Sequence, residues 1–137
     1  MILVDTNVWS ELTKSTKNPK VDGWLRTNQP DLVLSSIVIA EIRFGIELPQ
    51  GASRRAALES WLAGLESQFA DRMLSFDRAS AHVFGLIAAK RRADLEEAKI
   101  LDMQIAAQAI AHGMDIATRN VRDFEWTGVA VIDPWRA

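Results

Sequence analysis

The chain has 137 residues, of which 48% are hydrophobic, so its length suits a single domain, 1–137, with a core large enough to cover a sheet on both faces. It has no cysteine and two histidines, which excludes disulfide bridges and cysteine chemistry and leaves little for a histidine-built metal site. The formal net charge of −2 argues against nucleic-acid binding driven by global charge, although 16 Lys and Arg residues can still form a local basic rim.

Five short apolar runs alternate along the chain with longer segments of helical period. They occupy residues 2–4, 32–34, 73–76, 116–118 and 129–132. This alternation is typical of βα units, so the sequence predicts an α/β fold with a parallel sheet. No run approaches the ~20 apolar residues of a membrane span, and no leader precedes the first run, so we expect a cytoplasmic protein with no membrane segment.

Capping residues mark the helices between these runs. The serines at 35–36 can cap the helix that carries Glu41, and Asp77 can cap the helix after the third run. Gly113 can end the alanine-rich helix DMQIAAQAIAHG. The sequence therefore predicts where three of the helices begin or end.

Four acidic residues stand where a strand ends or in a helix that follows, which is where open parallel sheets bind ligands. Asp5 ends the first strand, and Asp123 lies in the turn after the fourth. Asp102 falls in the first turn of its helix, and Glu41 lies partway along the helix after the second strand. Taken singly, each could be a helix cap or a solvated surface residue. Taken together, the four carboxylates are expected to converge over one edge of the sheet.

Convergence would bring like charges together. Two charges ~4 Å apart repel by about 4 kcal/mol at an effective dielectric near 20, so a cation or protons must offset the repulsion. Carboxylate oxygens without thiolates suit a hard ion, Mg²⁺ or Mn²⁺, and one of its waters can become the nucleophile in phosphodiester cleavage. A shared carboxylate site with such an ion is the leading hypothesis.

Polar and basic residues flank two of the acids. Hydroxyl and amide groups that can orient a carboxylate or a metal-bound water come from Thr6, Asn7, Thr118 and Asn120. Arg119 and Arg122 can contact phosphate, although an exposed arginine is by default a solvating residue.

Two further features have no assigned role in this site. Residues 91–99 mix charges without a clean apolar stripe, which indicates either a solvated helix end or a mobile access loop. Tryptophans can stack nucleobases, but Trp9 and Trp61 fit the core better. The tryptophans that stay undecided are Trp24, Trp126 and Trp135.

The chain resembles the PIN-domain family, and VapC-type toxins in particular, in four ordered segments: MILVDTNVWSEL, SSIVIAEIRFGIE, ILDMQIAAQAIAHG and ATRNVRDF. The resemblance spans nearly the whole chain. It implies a three-layer α/β/α sandwich around a parallel sheet of about five strands. It also implies a Mg²⁺- or Mn²⁺-dependent endoribonuclease that is the toxin of a type II toxin–antitoxin pair, held inactive by a VapB-like antitoxin, and homodimers.

Site residues follow from the resemblance by position. The implied catalytic residues are Asp5, Glu41, Asp102 and Asp123, with Asp5 and Asp102 on the metal and Glu41 binding or deprotonating the attacking water. The supporting places fall to Thr6, Asn7, Thr118 and Asn120, and the implied RNA phosphate contacts to Arg119 and Arg122. Some relatives carry Asp where this chain has Asn120, which leaves open whether Asn120 or Asp123 lies nearer the metal. One and two metal ions are both open.

Two other functions compete with the ribonuclease. A haloacid-dehalogenase-type phosphatase also begins with an aspartate after a first strand, but its second aspartate is missing here because position 7 is Asn. A catalytically silent PIN-like module would bind RNA or act as a scaffold. Such modules tend to lose acidic residues, whereas this chain keeps all four, which favours the enzyme.

Overall fold

The computed structural model describes residues 1–96 and 99–137. Its strands, β1 to β5 in chain order, are Ile2–Val4, Leu32–Ser35, Met73–Leu74, Asp115–Ala117 and Val131–Ile132. Its α-helices, α1 to α7, are Thr6–Ser10, Pro19–Asn28, Ser36–Glu47, Arg55–Gln68, Arg78–Lys90, Arg92–Glu96 and Ile100–His112. Two short 3₁₀ turns after β4, at Val121–Asp123 and Glu125–Thr127, matter for the site.

The strands form one parallel sheet in the order β3-β2-β1-β4-β5. Its central strands are wholly apolar or nearly so, and Leu3, Val4 and Leu34 are fully buried, as expected where helices cover both faces. Crossovers between parallel strands are right-handed almost without exception, so this strand order assigns α1 to α4, which lead from β1 through β2 to β3, to one face and α5 to α7, which lead back to β4, to the other. The predicted α/β/α sandwich with five parallel strands is confirmed.

The direction of winding reverses at β1. From β1 the chain moves outward to β2 and β3, whereas β4 lies on the other side of β1. The backbone N–H of Asp5 donates to the carbonyl of Ala117 at 2.9 Å, so the carboxyl ends of β1 and β4 lie side by side. Such a reversal opens a crevice at the strand ends, where open α/β sheets bind their ligands.

The predicted caps are confirmed. The Ser35 hydroxyl accepts from the N–H of Ile37 at 3.0 Å, and Asp77 accepts from the N–H of Ser80 at 2.9 Å. Gly113 ends α7 with a left-handed φ of 63°. The start of α3, which carries Glu41, is therefore fixed relative to the end of β2.

The outer strands are shorter than the apolar runs that predicted them. Residues 73–76 yield only Met73–Leu74, because the chain then bends and the N–H of Phe76 donates to the Ser36 hydroxyl at 3.0 Å. Of residues 91–99, Arg92–Glu96 form the short helix α6, and 97–98 lie outside the described residues. No helix in the described ranges is long and apolar enough to cross a membrane.

Candidate active site

Asp5 lies buried at the winding reversal, with 4% of its surface exposed. One carboxylate oxygen accepts from the N–H of Thr6 at 2.8 Å, as a cap of α1. The other accepts from the Thr118 hydroxyl at 2.8 Å and from the Asn7 amide at 3.3 Å. Burial raises the pKa of Asp5, as does the charge of Asp123, while the hydrogen bonds from Thr118 and Thr6 oppose the rise. Asp5 is thus a fixed carboxylate at the carboxyl end of the central strand.

Asn7 and Thr118 join the loop after β1 to the turn after β4. The Asn7 amide group donates to the Thr118 hydroxyl at 3.4 Å, and its oxygen accepts from the N–H of Arg119 at 3.2 Å. The Thr118 hydroxyl also accepts from the N–H of Asn120 at 3.0 Å. The exposed side chain of Asn120 makes no hydrogen bond to any described residue. Asn120 therefore enters this network through its backbone.

Glu41 reaches the site from the second turn of α3. Its carboxylate accepts from the Thr6 hydroxyl at 3.0 Å, and because the N–H of Thr6 donates to Asp5, Thr6 links the two acids. Burial raises the pKa of Glu41 to about 7, with repulsion from Asp5 and Asp102 adding to the effect and the Thr6 hydrogen bond opposing it. A half-buried carboxyl with a pKa near neutrality can both bind and release a proton at physiological pH.

Asp102 and Asp123 form the opposite side of the site. Asp102 is half-buried in the first turn of α7, and burial raises its pKa to about 6, with repulsion from Asp5 and Asp123 adding to the rise and Lys99 opposing it. Asp123 ends the first 3₁₀ turn after β4, where its carboxylate lies 3.8 Å from the ammonium of Lys99. Lys99 thus places positive charge beside both acids.

The four acids interact as one electrostatic cluster. Asp5 repels Glu41 and Asp102, and Asp123 repels both Asp5 and Asp102. Within the described part of the chain, however, no three acidic or histidine side chains lie close enough to form a ready coordination shell. The four carboxylates are therefore close enough to repel one another, but they do not form a closed coordination shell; we call this an open cluster.

The donor chemistry of this cluster fits a hard divalent cation. The four acids offer carboxylate oxygens, and a hydroxyl and an amide lie beside them on Thr118 and Asn7. Burial raises the pKa values of Asp5 and Glu41, and repulsion from neighbouring carboxylates adds to the rise. A bound cation would lower that repulsion. Mg²⁺ and Mn²⁺, which keep several waters and take few direct carboxylate ligands, suit an open cluster of this kind.

The surroundings include residues that the sequence did not mark. Beside Asp102 and Asp123 lies a pocket whose other lining residues are Arg91, Asp94, Lys99, Met103, Arg122 and Trp126. Three of these residues, Arg91, Asp94 and Lys99, belong to the mixed-charge stretch 91–99. The density of charges in that stretch was the signal in the sequence that could have assigned it to the site. Nothing local in the sequence brings Trp126 to this stretch.

Arg119 and Arg122 lie on the exposed turn between Thr118 and Asp123. Both line a groove that Asp123 also borders. The guanidinium of Arg119 lies over the Trp135 ring, 4.8 Å from its centroid, so its position is fixed although its side chain faces solvent. The turn thus presents two cations next to the acidic cluster.

Lower pH should stabilise the protein in metal-free buffer. In the folded state Glu41 and Asp102 have pKa values of about 7 and about 6, above their ordinary 4.5 and 3.8, so the native state binds protons more tightly than the unfolded state. This stabilisation is complete below the unfolded pKa values and is lost as pH rises through about 6 and about 7.

After a discount for partial exposure, we expect the free energy of unfolding in EDTA to fall by about 1 to 2 kcal/mol between roughly pH 5.5 and pH 8. Denaturant titrations at several pH values measure it. Glu41→Gln should flatten the profile, whereas Glu66→Gln, on α4 and outside the cluster, should not. A profile that rises over this range would contradict the cluster.

The described geometry is that of a known fold family. The family model of the PIN domain matches residues 2–128. The chain belongs to the PIN-domain family, and the resemblance inferred from its four segments is confirmed.

Similar proteins align with the chain almost end to end. It is 35% identical to the VapC ribonuclease Y4jK of Sinorhizobium fredii over 137 residues, which is 98% of each protein. It is also 35% identical to the toxin FitB of Neisseria gonorrhoeae over 137 residues, 98% of this chain and 99% of FitB. The crystal structure of FitAcB from Neisseria gonorrhoeae superposes with a TM-score of 0.87 at 34% identity and covers all of both chains.

Proposed function

We propose that this protein is a Mg²⁺- or Mn²⁺-dependent endoribonuclease, the toxin of a type II toxin–antitoxin pair. The observation that carries the proposal is the cluster of Asp5, Glu41, Asp102 and Asp123 at the β1/β4 winding reversal of a PIN domain. Similarity over the full length to proteins named VapC ribonuclease and toxin FitB supports the substrate class and the toxin role.

Asp5 and Asp102 are the residues proposed to hold the cation. Asp5 is buried and oriented by three hydrogen-bond donors, and its charge raises the pKa of Asp102. When bound, a divalent cation supplies positive charge against the carboxylates and lowers the pKa of water beside it. Asp123 completes the cluster through its charge, whereas Asn120 contributes only a backbone N–H to the network.

Glu41 is proposed as the general base. Its pKa of about 7 suits proton transfer near neutrality, and the Thr6 hydroxyl at 3.0 Å orients the carboxylate. Glu41 takes a proton from a water whose oxygen attacks the phosphorus, the bond from phosphorus to the 3′ oxygen of the preceding nucleotide breaks, and that oxygen takes a proton from solvent. This direct attack by water leaves a 3′-hydroxyl and a 5′-phosphate, and it needs no covalent intermediate.

Cleavage of RNA with and without Mn²⁺ tests the proposal. Purified protein should cut total cellular RNA in Mn²⁺ and not in EDTA, and the new ends should accept a ligation adapter that requires a 5′-phosphate. Glu41→Gln should lose turnover at least as much as metal affinity. Intact RNA under all conditions would support the silent module, and turnover of a generic phosphomonoester without RNA cleavage would support the phosphatase.

The proposed partner is a VapB-like antitoxin, with the toxin as a homodimer. A concentrated set of carboxylates can be neutralised by an arginine, whose planar guanidinium pairs with two carboxylate oxygens at once. Co-expression with the antitoxin should give a stable complex without nuclease activity. Replacing the inhibitory antitoxin arginine with Ala should restore cleavage even if the complex persists. An antitoxin that binds without reducing cleavage would remove the regulatory half of the proposal.

A further inference from the structure

One arginine beside the acidic cluster is held from two sides. The Nε of Arg91 lies 2.7 Å from a carboxylate oxygen of Asp94, and its guanidinium lies 4.2 Å from the centroid of the Trp126 ring. Trp126 is itself fixed, because its indole N–H donates to the carbonyl of Asp123 at 2.8 Å. A chain of contacts thus runs from Arg91 through Trp126 to a member of the cluster.

This arrangement leaves the outer edge of the guanidinium available. The pair with Asp94 uses Nε, and within residues 1–96 and 99–137 the two terminal nitrogens of Arg91 make no hydrogen bond. The Arg91 side chain keeps 35% of its surface exposed. A guanidinium with its plane fixed and both terminal nitrogens unused is preorganised for a phosphate, which accepts two parallel N–H bonds.

The charge of the pocket supports the same ligand. Three cationic side chains, Arg91, Lys99 and Arg122, line it together with three acidic ones, Asp94, Asp102 and Asp123. The three positive charges balance the three negative ones, so a divalent cation held by the acids would make the charge of the pocket more positive. The pocket is then suited to an anion that lies next to the cluster.

The pocket continues into the groove on the other side of Asp123. Arg122 and Asp123 line both depressions, and Arg119 and Arg136 line the groove. Arginines therefore lie on both sides of Asp123, along a path that a flexible polyanion can follow. Single-stranded nucleic acid has this property, since its backbone carries one negative charge per nucleotide.

We infer that the Arg91–Trp126 pocket binds a backbone phosphate of single-stranded RNA adjacent to the bond that is cut. The inference rests on the proposed nuclease function and adds a substrate-binding site to it. Asp94 and Trp126 are positioning residues for Arg91. Arg122 contacts the same strand where the pocket meets the groove.

Salt-dependent binding of a labelled RNA tests this site. The probe is a fluorescein-labelled, 2′-O-methyl single-stranded RNA in buffer with Ca²⁺, checked to be intact after the measurement. The matched variants are Arg91→Ala and Arg92→Ala, since Arg92 is exposed, adjacent in sequence and outside the pocket. Arg91→Ala should weaken binding by about tenfold at low salt and reduce the slope of log affinity against log salt by ~0.7. Arg92→Ala should leave the slope unchanged.

Two further variants separate a phosphate contact from a structural role. Arg91→Lys keeps the charge and should keep the parent slope, although it loses the stack and part of the affinity. Arg122→Ala, in an exposed turn, should lower the slope by the same ~0.7 without a change in melting temperature. A slope that matches the parent in both Arg91→Ala and Arg122→Ala overturns the phosphate site while leaving the nuclease in place.

Other results would point to other conclusions. A parent protein that binds no RNA, with or without a divalent cation, overturns the proposed function and this site with it. Loss of antitoxin binding in Arg91→Ala, with RNA affinity and slope unchanged, would assign the pocket to the protein partner and refute the inference.

Discussion

Asp5→Asn should reduce RNA cleavage by about 100-fold or more without unfolding the protein. In the parent, the Asn7 amide and the Thr118 hydroxyl donate to the Asp5 carboxylate. Asn has the same size, but it places an NH₂ group, itself a donor, opposite these two donors. One side of Asp5 therefore loses its orientation as well as its charge. The loss should appear in turnover at saturating Mn²⁺, because added metal cannot restore the missing ligand.

The same substitution should leave the metal-free protein as stable as the parent or more stable. Burial raises the pKa of Asp5, so its ionised form is less favourable in the folded state than in the unfolded state, and removal of that cost offsets the hydrogen bonds from Asn7 and Thr118 that Asn loses. Thermal melting in EDTA by circular dichroism measures it. Asp71→Asn is the matched control, since Asp71 is exposed and precedes β3 at the other end of the sheet. If the folded Asp5→Asn variant cleaved RNA at the parent rate, Asp5 would not be part of the active site.

Mn²⁺ should raise the melting temperature by roughly 10 °C at saturation. A ligand that binds only the folded state at about 100 times its dissociation constant stabilises by about 2.7 kcal/mol, and a chain of this length converts that into a shift of this order. The repulsion between Asp5 and Asp102 supplies the reason that the cation prefers the folded chain.

The stabilisation should depend on the cluster and not on surface charge. Asp102→Asn and Asp5→Asn should each abolish most of the shift, while Asp71→Asn should retain it. Ca²⁺ should produce part of the shift without supporting cleavage. Equal melting of the parent in EDTA and in millimolar Mn²⁺ would show that the four carboxylates do not share an ion.

The fold was largely predictable because its signals are local. The apolar run before Asp5, the Ser35 cap and the left-handed Gly113 each specify a strand end or a helix end within a few residues. The parallel sheet then follows from the βα alternation, since crossovers of this kind have a fixed hand. The approach of Asp5 to Thr118 follows from that topology.

The surroundings of the cluster were not predictable in the same way. Arg91 directly follows α5, whereas Trp126 lies in the second turn after β4, and no periodicity encodes their contact. The short β3 and β5 also depended on distant partners, such as the Ser36 hydroxyl that binds the backbone of Phe76. Side chains that meet through long-range packing carry no local signature in the sequence.

The contacts that orient Asp5 connect the two ends of the chain, and this has a consequence for synthesis. The bonds from Thr118 to Asp5, from Asn7 to Thr118 and from Arg119 to Asn7 span 113, 111 and 112 positions. Contacts of such high sequence separation form late, after the entropy of closing a long loop has been overcome. In a nascent chain whose β4 has not yet been synthesised, Asp5 has no Thr118 to orient it, and Asp123 is absent. The acidic cluster is therefore assembled only after β4 and the turn that follows it have been made, so a shorter nascent or truncated copy lacks the proposed catalytic site.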